Sequence, residues 1–276
     1  MFSTISILGC GWLGLPLAER LVQAGFQVKG STTSAEKLAL LEQKGIRPFL
    51  LRLNPQPEGE HLRDFLTADA LIINIPPKAG QMGDGFHPEQ IRNLVRLFRE
   101  TDTLPPYLMY ISSTSVYPDL NREMTESDVV VPGQSAAPAY VEAELELLAL
   151  GHTTVLRFGG LLGYDRIPGR YVAGKKGLTT GAVPVNYIHR DDGVAVLEAL
   201  LRQPQPGRTF NVVAPRHPTR EAVYRKNSED FGYELPTFTE PETPAPFKII
   251  SSRELQQTVG YAFRYDDPLK FFYRPR

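Results

Sequence analysis

From Thr4 to Leu8 the chain reads Thr-Ile-Ser-Ile-Leu, a short apolar run of the buried-strand type, with glycines directly after it. Apolar residues then recur at helical spacing (Trp12, Leu13, Leu15, Leu17, Ala18, Leu21, Val22) until Gly25 closes the pattern. Phe26-Gln27-Val28 opens a second strand, Ala35 to Lys44 predicts a second helix ended by Gly45, and Ile46 to Leu51 predicts a third strand. Leu71 to Ile75 predicts a fourth, stopped by Pro76-Pro77 because proline cannot donate to a sheet ladder. A helix from Pro88 to Glu100 leads to a fifth strand, Tyr107 to Ile111; a further helix, Tyr140 to Leu150, precedes a sixth, Thr153 to Leu156. Such alternation predicts an α/β chain, a doubly wound parallel sheet with helices on both faces. Past Phe158 the pattern loosens into Gly159, Gly160, Gly163 and a basic loop with Arg166, Arg170, Lys175 and Lys176. Asp191 to Leu201 reads as a helix and Thr209 to Val213 as a strand, while Pro236 to Pro246 is too proline-dense for a helix or a central strand.

Composition narrows the function classes. The 276 residues carry 30 Lys and Arg against 31 Asp and Glu, a formal net charge of −1, so neither nucleic acid nor an anionic membrane is the expected partner. No apolar stretch approaches the roughly 20 residues of a membrane helix, and no basic leader with a cleavage site follows Met1, so a cytoplasmic location is expected. The single cysteine, Cys10, forms no internal disulfide. Five scattered histidines and one cysteine offer no metal-ligand spacing.

The most specific local motif is Gly9-Cys10-Gly11-Trp12-Leu13-Gly14 between the first strand and the first helix. In that context Gly9 allows a tight turn, Gly11 lets backbone approach a pyrophosphate, Gly14 permits close helix packing, and the helix N-terminus offers free N–H groups. The alternative is a tight turn without a ligand, in which Cys10 is a small packing residue and Trp12 a wall. Ile75 and Pro76, closing the fourth strand, join the candidate cofactor residues. An NAD-selective site usually carries an acid at the end of the second strand. Here the chain reads Lys29-Gly30-Ser31-Thr32-Thr33-Ser34, with no carboxylate before Glu36, and Lys29 or Lys37 could neutralise a 2′-phosphate. The expected cofactor is NADP, with NAD as the alternative; the same hydroxyls could instead cap the second helix through Ser34.

After the fifth strand comes Ile111-Ser112-Ser113-Thr114-Ser115-Val116-Tyr117. With the glycine turn, with Thr154-Val155-Leu156-Arg157 before Gly159 and Gly163, with Asn186-Tyr187-Ile188-His189-Arg190-Asp191-Asp192 and with Phe210-Asn211-Val212-Val213, this resembles the extended and atypical short-chain dehydrogenase/reductases, including nucleoside-diphosphate-sugar epimerases and dehydratases. The resemblance implies a Rossmann domain over 1–158, rejoined by 185–214, and a smaller C-terminal substrate lobe over 159–184 and 215–276. It implies that Ser113 hydrogen-bonds the reacting oxygen, with Ser112 and Thr114 as flanking alternatives, and that Asn186 and His189 lie where substrate meets the Rossmann domain. Arg166, in the basic loop, is the candidate for an anionic substrate group. A homodimer through Rossmann helices is also implied.

In the family, a Tyr-x-x-x-Lys pair lowers the tyrosine pKa so that its phenol exchanges a proton while a nicotinamide exchanges a hydride. This chain reads Pro138-Ala139-Tyr140-Val141-Glu142-Ala143-Glu144, which places Glu144 where a lysine would follow Tyr140. In a second register Glu144 matches a glutamate four residues beyond the lysine; Ala136 then takes the tyrosine position and Tyr140 the lysine position. Neither register keeps the pair. Two functions are therefore expected: an oxidoreductase or epimerase/dehydratase acting on a sugar nucleotide or other small carbonyl or hydroxyl substrate through Ser113 and Tyr140, or a dinucleotide-binding sensor without turnover.

Overall fold

The computed structural model describes residues 2–77 and 79–275. Its main sheet is built from β1 (Thr4–Leu8), β2 (Gln27–Thr32), β3 (Arg47–Leu53), β4 (Pro57–Gly59), β5 (Ala70–Ile73), β6 (Tyr107–Ser113), β8 (Thr153–Phe158) and β11 (Thr209–Val212), in the order β11-β8-β6-β5-β1-β2-β3-β4. Every neighbouring pair is parallel except β3 with β4. Two small parallel pairs lie outside it: β9 (Gly160–Leu162) with β10 (Tyr187–His189), and β7 (Arg122–Met124) with β12 (Lys248–Ile250).

Strand alternation sends side chains into two separate cores. Ile5, Ile7, Ile72, Met109, Leu156 and Phe158 meet α1 (Gly14–Gln23) and α7 (Arg190–Arg202) on one face, through Leu17, Leu21, Leu197 and Leu200. Leu71, Ile73, Leu108, Tyr110 and Val155 meet α5 (Phe86–Thr101) and α6 (Pro138–Leu148) on the other, through Ile91, Leu94, Phe98 and Leu147. Burial on both faces is why these strands read as continuous apolar runs. The shorter α2 (Leu38–Gln43), α3 (Leu62–Leu66) and α4 (Ala79–Met82) fill the connections, and α8 (Arg220–Phe231) and α9 (Arg253–Val259) belong to the later chain.

The predicted strands and long helices are all present, several extended by one to three residues; β2 runs on through the Ser31-Thr32 hydroxyls and β6 through Ser112-Ser113. The second predicted helix opens as a 3₁₀ turn, Ala35–Lys37, before α2. Helix α8 gave no periodic signal because only Val223, Asn227 and Ser228 of its twelve residues are buried; Thr219 accepts from the Ala222 N–H at its start and Gly232, at φ 69°, ends it. The outer strand β11 is covered from the side: Glu126 Oε1 accepts the Asn211 N–H at 2.7 Å, and Asn211 Nδ2 donates to the Ser251 carbonyl at 3.0 Å.

The chain leaves β1 toward β2 and β3, then returns past β1 to β5, β6, β8 and β11. At that reversal the loops after β1 and β5 part, and a crevice opens at the carboxyl ends of the strands.

Candidate functional site

The crevice is a groove in two compartments that share Gly11, Asn74, Ile75 and Pro76. The first, about 220 Å³, runs between Gly9, Cys10, Ser31, Thr32, Thr33, Lys37, Leu51, Leu53 and Gln90; the second, about 370 Å³, runs between Trp12, Leu13, Ser112, Ser113, Tyr140, Phe158, Leu161 and Arg166.

The glycine turn is shaped by backbone contacts. Gly9 has φ 107°, and a Cβ there would lie 2.2 Å from the Asn74 carbonyl oxygen. A Cβ on Gly14 would lie 2.2 Å from the Gly9 carbonyl oxygen, whereas one on Gly11 would meet nothing within 4 Å. Gly9 and Gly14 thus let main chain pack against main chain, and Gly11 keeps open the space above the start of α1. That arrangement fits a pyrophosphate laid against a helix N-terminus. Two side chains lock the turn: Ser31 Oγ accepts the Gly9 N–H at 2.9 Å, and Asn74 Nδ2 donates to the Gly9 carbonyl at 2.9 Å. Asn74 was not singled out in the sequence, although it is the one polar residue in the run Leu71 to Ile75. Burial pushes the Cys10 thiol up to about 12, partly offset by a backbone hydrogen bond at Ser31, so Cys10 packs as a neutral group.

At the end of β2 the hydroxyls are already engaged. Besides Ser31, Thr32 Oγ1 accepts the Ser34 N–H at 3.2 Å. Lys29 is turned away: its ammonium donates to Asp64 Oδ1 at 2.9 Å and to the Asp64 and Thr67 carbonyls. The structure thereby corrects the expectation that Lys29 could serve a 2′-phosphate. Lys37 borders the first compartment.

In the second compartment the half-buried Ser113 and Tyr140 face the space together with Ser112. Ser113 Oγ accepts the Ser115 N–H at 3.1 Å. Burial raises the Tyr140 phenol above its ordinary range, against a smaller lowering from the Ser115 hydroxyl. Glu144 does not face this space. It is 1% exposed, and its carboxylate takes three hydrogen bonds from Arg157, at 2.7, 3.1 and 3.2 Å, and one from Ser112 Oγ at 2.5 Å. Arg157, on β8, also donates to the Tyr117 hydroxyl at 2.9 Å and the Val129 carbonyl at 2.8 Å. Burial alone disfavours the Arg157 cation, but Glu144 and Tyr117 outweigh it and hold the guanidinium charged. Behind Tyr140, His87 bonds the Tyr110 hydroxyl at 2.5 Å and Gln90 at 3.1 Å, and burial depresses its pKa.

Over the glycine turn, Trp12 donates its indole N–H to Asp165 at 2.9 Å. Guanidinium carbons of Arg166 and Arg190 lie 4.1 and 4.8 Å from its ring centre, and Arg190 also covers Tyr164 at 3.7 Å. Of the basic loop, Arg166 reaches the groove, while Arg170, Lys175 and Lys176 are exposed to solvent.

Three residues implied by the resemblance lie elsewhere. Thr114 is buried in the turn after β6. Asn186 bridges to β12, donating to the Lys248 carbonyl and accepting the Ile250 N–H. The fully buried His189 bonds the Phe272 carbonyl at 3.0 Å, accepts the Asp191 N–H at the start of α7 and packs on Tyr265, and burial lowers its pKa. A further cavity of about 700 Å³ lies among Thr179, Gly181, Val183, Glu221, Arg225, Phe238 and Phe247, with the Arg225 guanidinium 5.3 Å from the Phe238 ring centre. Among the described residues no group of three or more acidic, histidine or cysteine side chains is arranged to hold a metal, and no helix is long and apolar enough to cross a membrane.

Comparison with solved structures assigns the class. A functionally unknown conserved protein from Silicibacter pomeroyi superposes with a TM-score of 0.77 at 21% identity, over 97% of this chain and 95% of its own. A short-chain dehydrogenase/reductase superfamily protein from Agrobacterium tumefaciens with bound NAD gives 0.74 at 17% identity, over 97% and 95%. The UDP-glucose 4-epimerase of Thermotoga maritima, with UDP-glucose, gives 0.74 at 13% identity, over 97% and 96%. The fold is that of the short-chain dehydrogenase/reductase and epimerase/dehydratase superfamily. No family model matches the chain. Protein YeeZ of Escherichia coli (strain K12) is 34% identical over 269 residues, 96% of this chain and 97% of its own, and the chain belongs to the YeeZ family.

Proposed function

We propose that the chain is an NADP(H)-dependent oxidoreductase or epimerase/dehydratase-type enzyme acting on a carbonyl or hydroxyl carbon of a sugar nucleotide or similar small substrate. The observation that carries this reading is the two-compartment groove, in which open space above Gly11 leads to Ser113, Tyr140 and Arg166. NAD and UDP-glucose in the superposed proteins support the same ligand classes. In this reading 1–158 and 185–214 hold the dinucleotide. Residues 159–184 and 215–276 hold the substrate, and the 700 Å³ cavity draws all its named walls from them.

A bound nicotinamide would supply or accept a hydride. The chain's own residues do the rest. The amides at the start of α1 receive the pyrophosphate. Ser113, its oxygen already accepting from Ser115, turns its hydroxyl proton toward the substrate oxygen. Tyr140, held protonated by burial, gives a proton to that oxygen, which favours carbonyl reduction over alcohol oxidation. Arg166 attracts an anionic group at the lip. Because Glu144 faces Arg157 rather than the groove, it places no carboxylate against Tyr140's ligand, and this supports the register in which Tyr140 stands at the lysine position.

Trp12, the only tryptophan, reports binding directly. Saturable energy transfer to NADPH, followed by NADPH oxidation with one of a panel of sugar nucleotides or small carbonyl compounds, is the expected result. Ser113→Ala and Tyr140→Phe should each lower kcat by about 10²–10⁴ with dinucleotide affinity retained. Binding without turnover across the panel would favour the sensor, a reading that draws on the lack of any basic partner for Tyr140 among the described residues. Failure of folded protein to bind either dinucleotide rejects both.

A further inference from the structure

We propose that Arg52, on the strand beside β2, selects a 2′-phosphorylated dinucleotide, with Lys37 as the second cation across Thr33; this rests on the dinucleotide reading above. In the β2–β3 register Thr32 lies opposite Leu50, so Arg52 stands two residues further along, level with Ser34. Its Nη2 donates to the Thr33 carbonyl at 3.3 Å. A guanidinium has five N–H donors in a planar fork, and this bond uses one of them. The arginine is thereby anchored at the rim of the first compartment, exposed to solvent, with donors left for an anion.

The charge balance at this rim is specific. Lys29 is committed to Asp64, and the Ser31 and Thr32 oxygens already accept backbone N–H groups. Among the described residues Arg52 and Lys37 form no ion pair, whereas sixteen other pairs are made across the molecule. The nearest acid, Glu36, is exposed and accepts from the Ser34 hydroxyl at 3.2 Å. Two uncommitted cations against one solvated carboxylate leave a net positive rim. A phosphate monoester carries about −1.5 to −2 charges at neutral pH and presents three acceptor oxygens, so it matches that rim, whereas a ribose hydroxyl leaves both cations without a counterion.

The test titrates NADPH and NADH into wild type, Arg52→Gln, Lys37→Gln and the double variant, reading Trp12 energy transfer at low and high salt. Glutamine keeps a donor for Thr33 while removing the charge, and thermal melts establish that each variant is folded. Wild type is expected to prefer NADPH at least about tenfold, and each substitution to weaken NADPH by about tenfold while NADH changes less than about twofold. The double variant should lose the preference. NADPH affinity should fall with salt more steeply than NADH affinity, since a surface phosphate contact is screened. In displacement, 2′,5′-ADP should outcompete 5′-AMP on wild type and lose that advantage on the double variant. Equal wild-type affinities would overturn the proposal and leave the groove as a dinucleotide site. Equal weakening of both ligands by Arg52→Gln would reduce Arg52 to a pin for Thr33 and overturn it likewise. If neither dinucleotide binds, this proposal and the reading it rests on fall together.

Discussion

At the β1 end of the groove, shape comes from main chain meeting main chain: Gly9 against the Asn74 carbonyl, and Gly14 against the Gly9 carbonyl. At the β6 end, shape comes from buried side chains: Ser112, Glu144, Arg157 and Tyr117 hold one another beneath the Ser113–Tyr140 wall. The first end tolerates almost no change of residue type, because any Cβ collides with backbone that cannot move aside. The second is a network of charges whose members could have been exchanged, provided each buried charge keeps a partner. A reaction could therefore diverge at the β6 end while the β1 end stays fixed.

Removing one partner at the β6 end tests this most severely. Glu144→Gln leaves Arg157 charged and buried, and should cost about 3–5 kcal/mol in urea unfolding. Glu144→Lys, which writes the family's lysine into the first register, should be worse still, because it sets a second buried cation against Arg157. A stable Glu144→Lys protein with a lowered Tyr140 pKa would break the comparison. At the β1 end, Gly14→Ala forces a Cβ onto the Gly9 carbonyl and should cost about 1–3 kcal/mol together with ligand binding. Gly11→Ala separates the two effects: its Cβ has open space, so stability should stay within about 0.5 kcal/mol. Dinucleotide affinity, by contrast, should fall at least about tenfold, because the new methyl occupies the path to the pyrophosphate.

The smallest effect is a pH dependence. Burial depresses the pKa of His87, His189 and His217 in the fold. The unfolded chain thus takes up protons first as pH falls below about 6.5, and the stability these neutral imidazoles contribute is present above that pH and lost below it. Melting temperature followed from pH 8 to 5 should decline on the acid side, and His87→Gln should shallow the decline. A flat profile would contradict burial as the cause.

The legible parts of the molecule are those with short-range causes. The glycine turn, the apolar strands and the hydroxyl run after β6 each announce themselves within about seven residues. Other features depend on partners far along the chain. Arg122 pairs with Lys248 in the β7–β12 ladder, and Asn186 and His189, implied by the resemblance as substrate neighbours, bond backbone 62 to 83 residues away. Glu144 looked like a misplaced acid beside Tyr140 because Arg157, thirteen residues on, could be assigned to it only once β8 lay beside β6. Arg52 escaped notice for the same reason: its nearness to Thr33 is a property of strand pairing, which periodicity does not report.

The covering of β11 bears on how the protein behaves in crowded solution. An open parallel sheet has two margins, and a bare margin is a template on which another polypeptide can add a strand and begin to aggregate. Here the Glu126 carboxylate takes the amide that an incoming strand would need at Asn211, and the opposite margin is only the three residues of β4. Deleting that one carboxylate, as in Glu126→Ala, should leave the groove untouched yet raise turbidity and loss to precipitate on slow heating. A side chain far from any chemistry thus sets how long the protein survives at high concentration.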